Sequence, residues 1–124
     1  MELLALIKDL AAIPETVWIV GHEGGVVSEN TPEGMRPPVE ERGSITVQAA
    51  GWHFHLSASL ATEAHLSEQP DTAHGLPNLM SRRVHFSGPD GKSPLRIYVQ
   101  SGEAFAKLCA AWQGREGVRV TGKG

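Results

Sequence analysis

The chain has 124 residues, with 11 Lys+Arg against 14 Asp+Glu and a net charge of −3. That is the size of one domain, and it lacks the basic surplus that a nucleic-acid partner requires. Cys109 is the single cysteine, and no apolar run approaches the roughly 18 residues of a membrane helix, so the composition reads as cytoplasmic, without disulfides and without a membrane partner.

Leu3, Leu6, Ile7, Leu10 and Ile13 recur at helical spacing before Pro14, which predicts an amphipathic helix over Glu2 to Ala12. Thr16 to Val20 is β-branched and aromatic, as strands are. Gly24-Gly25 predicts a tight turn and Val26-Val27 a short return strand. Ser28 to Gly43 holds three prolines, two glycines and four glutamates, which is loop composition. Ile45, Val47 and Ala49 alternate with Ser44, Thr46 and Gln48 in a half-buried strand. Trp52-His53-Phe54-His55-Leu56 alternates again, placing two imidazoles on one face and large apolar side chains on the other.

Leu60 to Leu66 predicts a further strand, and Gln69 to Asn78, with two prolines and a glycine, a second loop containing His74. Arg83-Val84-His85-Phe86 and Leu95 to Val99 alternate on either side of a turn at Gly88-Pro89-Asp90-Gly91. Ser101 can cap a closing helix with Phe105, Leu108, Cys109 and Trp112 on one stripe, and Gly114 and Gly117 end it. The expectation is a single α+β domain over 1–117 with a flexible tail over 118–124. Its antiparallel meander of six to seven strands is packed by an N-terminal and a C-terminal helix.

If Phe54, Leu56, Val84, Phe86, Leu95, Ile97 and Val99 face the core, one polar face collects His53, His55, Glu63, His65, Arg83, His85, Arg96 and Tyr98. Four of the six histidines and the single tyrosine then lie together. A solvated sheet face explains this without any ligand. Two ligand chemistries compete with it. A divalent metal would take His53 and His55 with His65 or His85. Haem would take an axial His or Tyr and cations for its propionates, with His55 and His53 first, then Tyr98, and Arg83 or Arg96 on the carboxylates. A cupin-type barrel is rejected, because Ser59 and Leu60 stand where its glutamate belongs. There is no nucleophile elbow, phosphate loop, Cys-x-x-Cys or His-Glu-x-x-His, so nothing in the chain points to an enzyme.

From Ala50 to Gln100, the strand Gly51 to Leu56, the strand near Ala61 to Ser67, Arg83 to Phe86, the turn Pro89 to Gly91 and Arg96 to Val99 resemble the haem-utilisation superfamily (the HemS, ChuX and HutX group). The resemblance implies a sheet-based α+β module with flanking helices that often dimerises. It also implies a haem carrier in which His55 matches the histidine ending the family's apolar strand. The alternatives from other classes are a dimerising interaction module without cofactor and a divalent-metal protein.

Overall fold

The computed structural model describes residues 1–22, 25–70 and 80–121. The expected turn glycine Gly24, His74 with most of the second loop, and the last three residues of the tail lie outside the described residues. The order is helix α1 (Leu3–Ala11), strands β1 (Thr16–Gly21), β2 (Val27–Asn30), β3 (Val39–Glu41), β4 (Ser44–Gln48) and β5 (His53–Ser57), and one 3-10 turn. Strands β6 (Glu63–Pro70), β7 (Met80–Ser87) and β8 (Leu95–Val99), helix α2 (Gly102–Trp112) and strand β9 (Val118–Thr121) complete it. The α+β class holds.

The strands form two sheets rather than one meander. Six run in the order β2-β1-β8-β7-β6-β9, and three in the order β3-β4-β5. All pairs are antiparallel except β6 with β9, which is parallel. β9 corrects the expected tail over 118–124. Val118 and Val120 pack against the core, and Ala64 to Ser67 supplies the backbone partners. Four residues with a partner distant in the chain give too short a local signal to read as a strand. β3 likewise emerges from the proline-rich segment, because the residues after Pro38 are free to bond to β4.

Both sheets turn their apolar sides to one core. Leu66, Val84, Phe86, Leu95, Ile97 and Trp18 come from the large sheet, and Ile45, Val47 and Leu56 from the small one. Trp18 is fully buried, with its ring centroid 6.1 Å from Trp52 and 6.2 Å from Phe54, so β1 and β5 meet through three aromatic rings. Trp18 Nε1 donates to Thr16 Oγ1 at 3.0 Å, which satisfies its polar atom inside the core.

The helices close the remaining sides. Leu3, Leu6, Ile7 and Leu10 are the buried stripe of α1, and Phe105, Leu108 and Trp112 that of α2. Ser101 Oγ accepts from Ala104 N–H at 3.1 Å and caps α2 as its sequence predicts. Trp112 Nε1 donates to Asp9 Oδ2 at 2.7 Å, tying the helices together. None of the described helices is long and apolar enough to cross a membrane.

The core geometry gives a direct check. Trp18→Ala empties the point where the two sheets touch and is expected to cost about 3–5 kcal/mol in denaturant unfolding. A loss below about 1 kcal/mol would show that the sheets do not depend on that contact.

Candidate functional site

The polar residues that alternation assigns to one face belong to two. Because both sheets give their apolar sides to the same core, their polar sides point away from each other. His53 and His55 lie on the outer side of the small sheet. His65, His85, Arg83, Arg96, Tyr98 and Glu63 lie on the outer side of the large one. The expected four-histidine set therefore separates into two pairs. Among the described residues no group of three or more His, Cys, Asp or Glu could hold a metal ion. The physical reason is that strand alternation determines the side of a sheet, not which sheet the strand joins.

On the small sheet, His53 and His55 are both exposed, with ring centroids 5.4 Å apart at an interplanar angle of 72°. His55 Nδ1 and Thr46 Oγ1 share a hydrogen bond of 2.9 Å, which leaves Nε2 of that ring outward. The register places His55 opposite Thr46 and Thr46 opposite Val39, and His53 opposite Gln48. Among the described residues the paired strands of this face carry no arginine and no aromatic side chain beside the two histidines, and Val39 is its exposed aliphatic side chain.

The large sheet offers a denser arrangement. Its register puts Arg83 opposite Tyr98 and Tyr98 opposite Val17. One step along, His85 stands opposite Arg96 and Arg96 opposite Ile19. Each row therefore runs through a cation and a potential iron ligand to an aliphatic side chain. Val17 and Ile19 supply the apolar element that sequence reasoning did not find. Thr16 to Val20 has no charged residue to mark its two sides, and only its pairing with β8 shows which side chains join the polar face.

Burial distinguishes the two arginines. Arg96 is 4% exposed, and its guanidinium donates to the Ser93 and Gly21 carbonyls, both at 3.4 Å. That arginine fastens β8 to the end of β1. Arg83 is half-buried, and its buried Nε makes no hydrogen bond among the described residues. A buried guanidinium N–H without an acceptor costs free energy unless a ligand supplies one.

Beside Arg83, His65 receives a hydrogen bond from Arg119 Nη2 at Nδ1 (3.3 Å) and shares one of 2.7 Å between Nε2 and Thr121 Oγ1. Burial, then Arg119 and Arg83, hold the His65 pKa below its ordinary 6.5. The neutral ring, accepting at Nδ1 and donating from Nε2, fits both partners. Cys109 is half-buried against the core, and burial followed by the nearby Glu68 carboxylate raises its pKa, so it stays a thiol. His22 is exposed, as a turn residue should be.

A separate cleft of about 680 Å³ lies between the end of α1, the start of β1 and the Thr31 to Met35 loop. Its charged side chains are Glu15 and Glu33, and it holds no His, Tyr, Cys, Lys or Arg. It meets the outer face of the large sheet only at Val17.

No protein-family model matches the chain, and no curated protein matches it. Among solved structures, the chain is similar to a structure of the haem-binding protein ChuX, with a TM-score of 0.70 at 18% identity over 88% of this chain and 71% of that one. The chain has the ChuX fold. A second ChuX crystal structure agrees, with a TM-score of 0.68 at 17% identity over 90% of this chain and 72% of that one. The ChuX fold was the expectation drawn from the His53 strand and its neighbours, and the similarity extends well beyond the stretch that carried it.

The His65 environment makes a pH prediction. A depressed folded-state pKa contributes stability that is present above about pH 6.5 and is lost as pH falls through the folded value. Amide protection factors of Val118 to Thr121 should therefore drop between pH 7.5 and pH 5 more than those of β8. In His65→Gln that difference should vanish.

Proposed function

We propose that this chain is a haem-binding protein that holds haem on the outer face of its six-stranded sheet, with Tyr98 as the axial ligand. The observation that carries the reading is the row Arg83, Tyr98, Val17 on neighbouring strands. Tyrosine is an established axial ligand of haem iron. The half-buried guanidinium of Arg83, opposite Tyr98, can meet a carboxylate, and a propionate supplies one. Val17 offers apolar contact to the porphyrin beside the buried Ile19, and the bound iron would supply redox or ligand-exchange chemistry. Arg96, engaged with backbone carbonyls, serves this site by holding β8 in place rather than by meeting a propionate.

The fold supports the reading, since ChuX binds haem and its structure shares this topology. His55 and His53 are the other ligand candidates for the same cofactor. Their rows run to Thr46, Val39 and Gln48 and hold no arginine beside the ligand, as the Tyr98 row does, so the large sheet is the better host. A haem carrier in the cytoplasm, without an enzymatic step, is the role this implies.

Titration with ferric protoporphyrin IX followed at the Soret band tests it. The wild type should saturate. Tyr98→Phe should bind at least about tenfold more weakly and lose the spectrum of a phenolate-ligated iron, whereas His53→Ala with His55→Ala should leave both unchanged. Arg83→Gln should weaken binding by a smaller factor without changing the ligand spectrum. A wild type that does not saturate, or a Tyr98→Phe variant indistinguishable from it, rules the assignment out.

A further inference from the structure

Ser67 lies on the outer side of β6, since Ala64 and Leu66 take the core positions, yet it is only 6% exposed. Among the described residues its hydroxyl makes no hydrogen bond. A buried hydroxyl in that state costs free energy until a partner reaches it. The register sets Ser67 between two polar side chains, with Arg83 of β7 opposite on one side and Thr121 of β9 on the other. Arg83 repeats the deficit. Its half-buried guanidinium makes no hydrogen bond and no ion pair among the described residues.

One step back along β6, the exposed Arg119 stands opposite His65. After burial, the charges of Arg119 and Arg83 are what depress the His65 pKa, so both guanidiniums approach this imidazole from the strands on either side of it. Neutral His65 donates from Nε2 to Thr121 Oγ1, which leaves that hydroxyl's own proton for another acceptor. Among the described residues the outer face of β6, β7 and β9 carries one carboxylate, Glu63, about 13 Å along the strand from Ser67. Glu68 belongs to the other side of β6, where Arg82 Nε donates to it at 2.7 Å.

We infer that Ser67, Arg83, Arg119 and Thr121 form a seat for a phosphate-type oxyanion on the outer face of β6, β7 and β9. Strands about 4.8 Å apart put Arg83 and Thr121 about 10 Å from each other across the sheet, with Ser67 midway. A tetrahedral dianion placed over Ser67 accepts from both hydroxyls and both guanidiniums, and its charge balances theirs. A carboxylate brings two oxygens to these four donors, and its single charge leaves one arginine unmatched. The seat stands without haem. The haem reading approaches Arg83 from the Tyr98 side, and the oxyanion approaches it from the Ser67 side.

The experiment records amide spectra of the haem-free full chain during titration with sodium phosphate, against sodium chloride at equal ionic strength. Because no haem is present, failure of the Tyr98 assignment does not touch the outcome. Phosphate should give saturable shifts at one site per chain, centred on Ser67, Arg83, Arg119 and Thr121. Sulfate should compete, and acetate should not. Arg83→Gln should weaken phosphate binding about tenfold and Ser67→Ala about threefold. Without phosphate, Ser67→Ala should melt with the wild type, because its hydroxyl has no bond to lose. Shifts that fail to saturate, that chloride reproduces, or that persist unchanged in both variants would overturn the proposal. So would acetate competing as well as sulfate, which reduces the seat to a carboxylate site.

Discussion

The contact of Trp18 with Trp52 and Phe54 is the constraint on which the rest of the molecule depends. It presses β1 of the large sheet against β5 of the small one, so that two polar surfaces must face outward in different directions. Trp18 sits in this role because Thr16 takes its indole N–H and because β1 lies between β2 and β8, with its alternate residues on opposite faces. Any change that loosened that aromatic contact would free the small sheet and the histidine strand together.

From this division follow two polar faces of different composition. The large sheet is extensively paired, and its outer face combines two arginines, a tyrosine, His85 and the aliphatic side chains of β1 within two cross-strand rows, with His65 opposite His85. Close spacing on a rigid scaffold is what a large, flat, dianionic cofactor requires. The small sheet ends in the edge strand β5, which carries the two exposed imidazoles.

Local pattern revealed much of this molecule, and its blind spots have physical causes. Alternation at Trp52 to Leu56, Val84 to Phe86 and Leu95 to Val99 correctly separated core from polar side chains, and Ser101 marked the start of α2. The pattern could not report that β5 pairs with β4 in a separate sheet, because a strand's alternation carries no record of its partner. Alternation alone therefore groups His53 and His55 with Tyr98 and Arg83, which the two sheets separate. Val17 and Ile19 stayed hidden within a continuous apolar run, where no charged neighbour distinguishes the two sides. β9 was hidden by brevity, since Val118 to Thr121 becomes a strand only through the distant Ala64 to Ser67. The ChuX-like fold was legible because it rests on the succession of elements, which survives at an identity too low for residues to align by type.

The most direct test of the central claim is to record amide spectra of the isotope-labelled protein with and without ferric protoporphyrin IX and map the paramagnetic broadening. The account predicts loss of signal at Val17 to Ile19, Arg82 to His85 and Arg96 to Tyr98, with His53 to Ser57 left sharp. Broadening centred on His53 to Ser57, with the Tyr98 row unaffected, would contradict it.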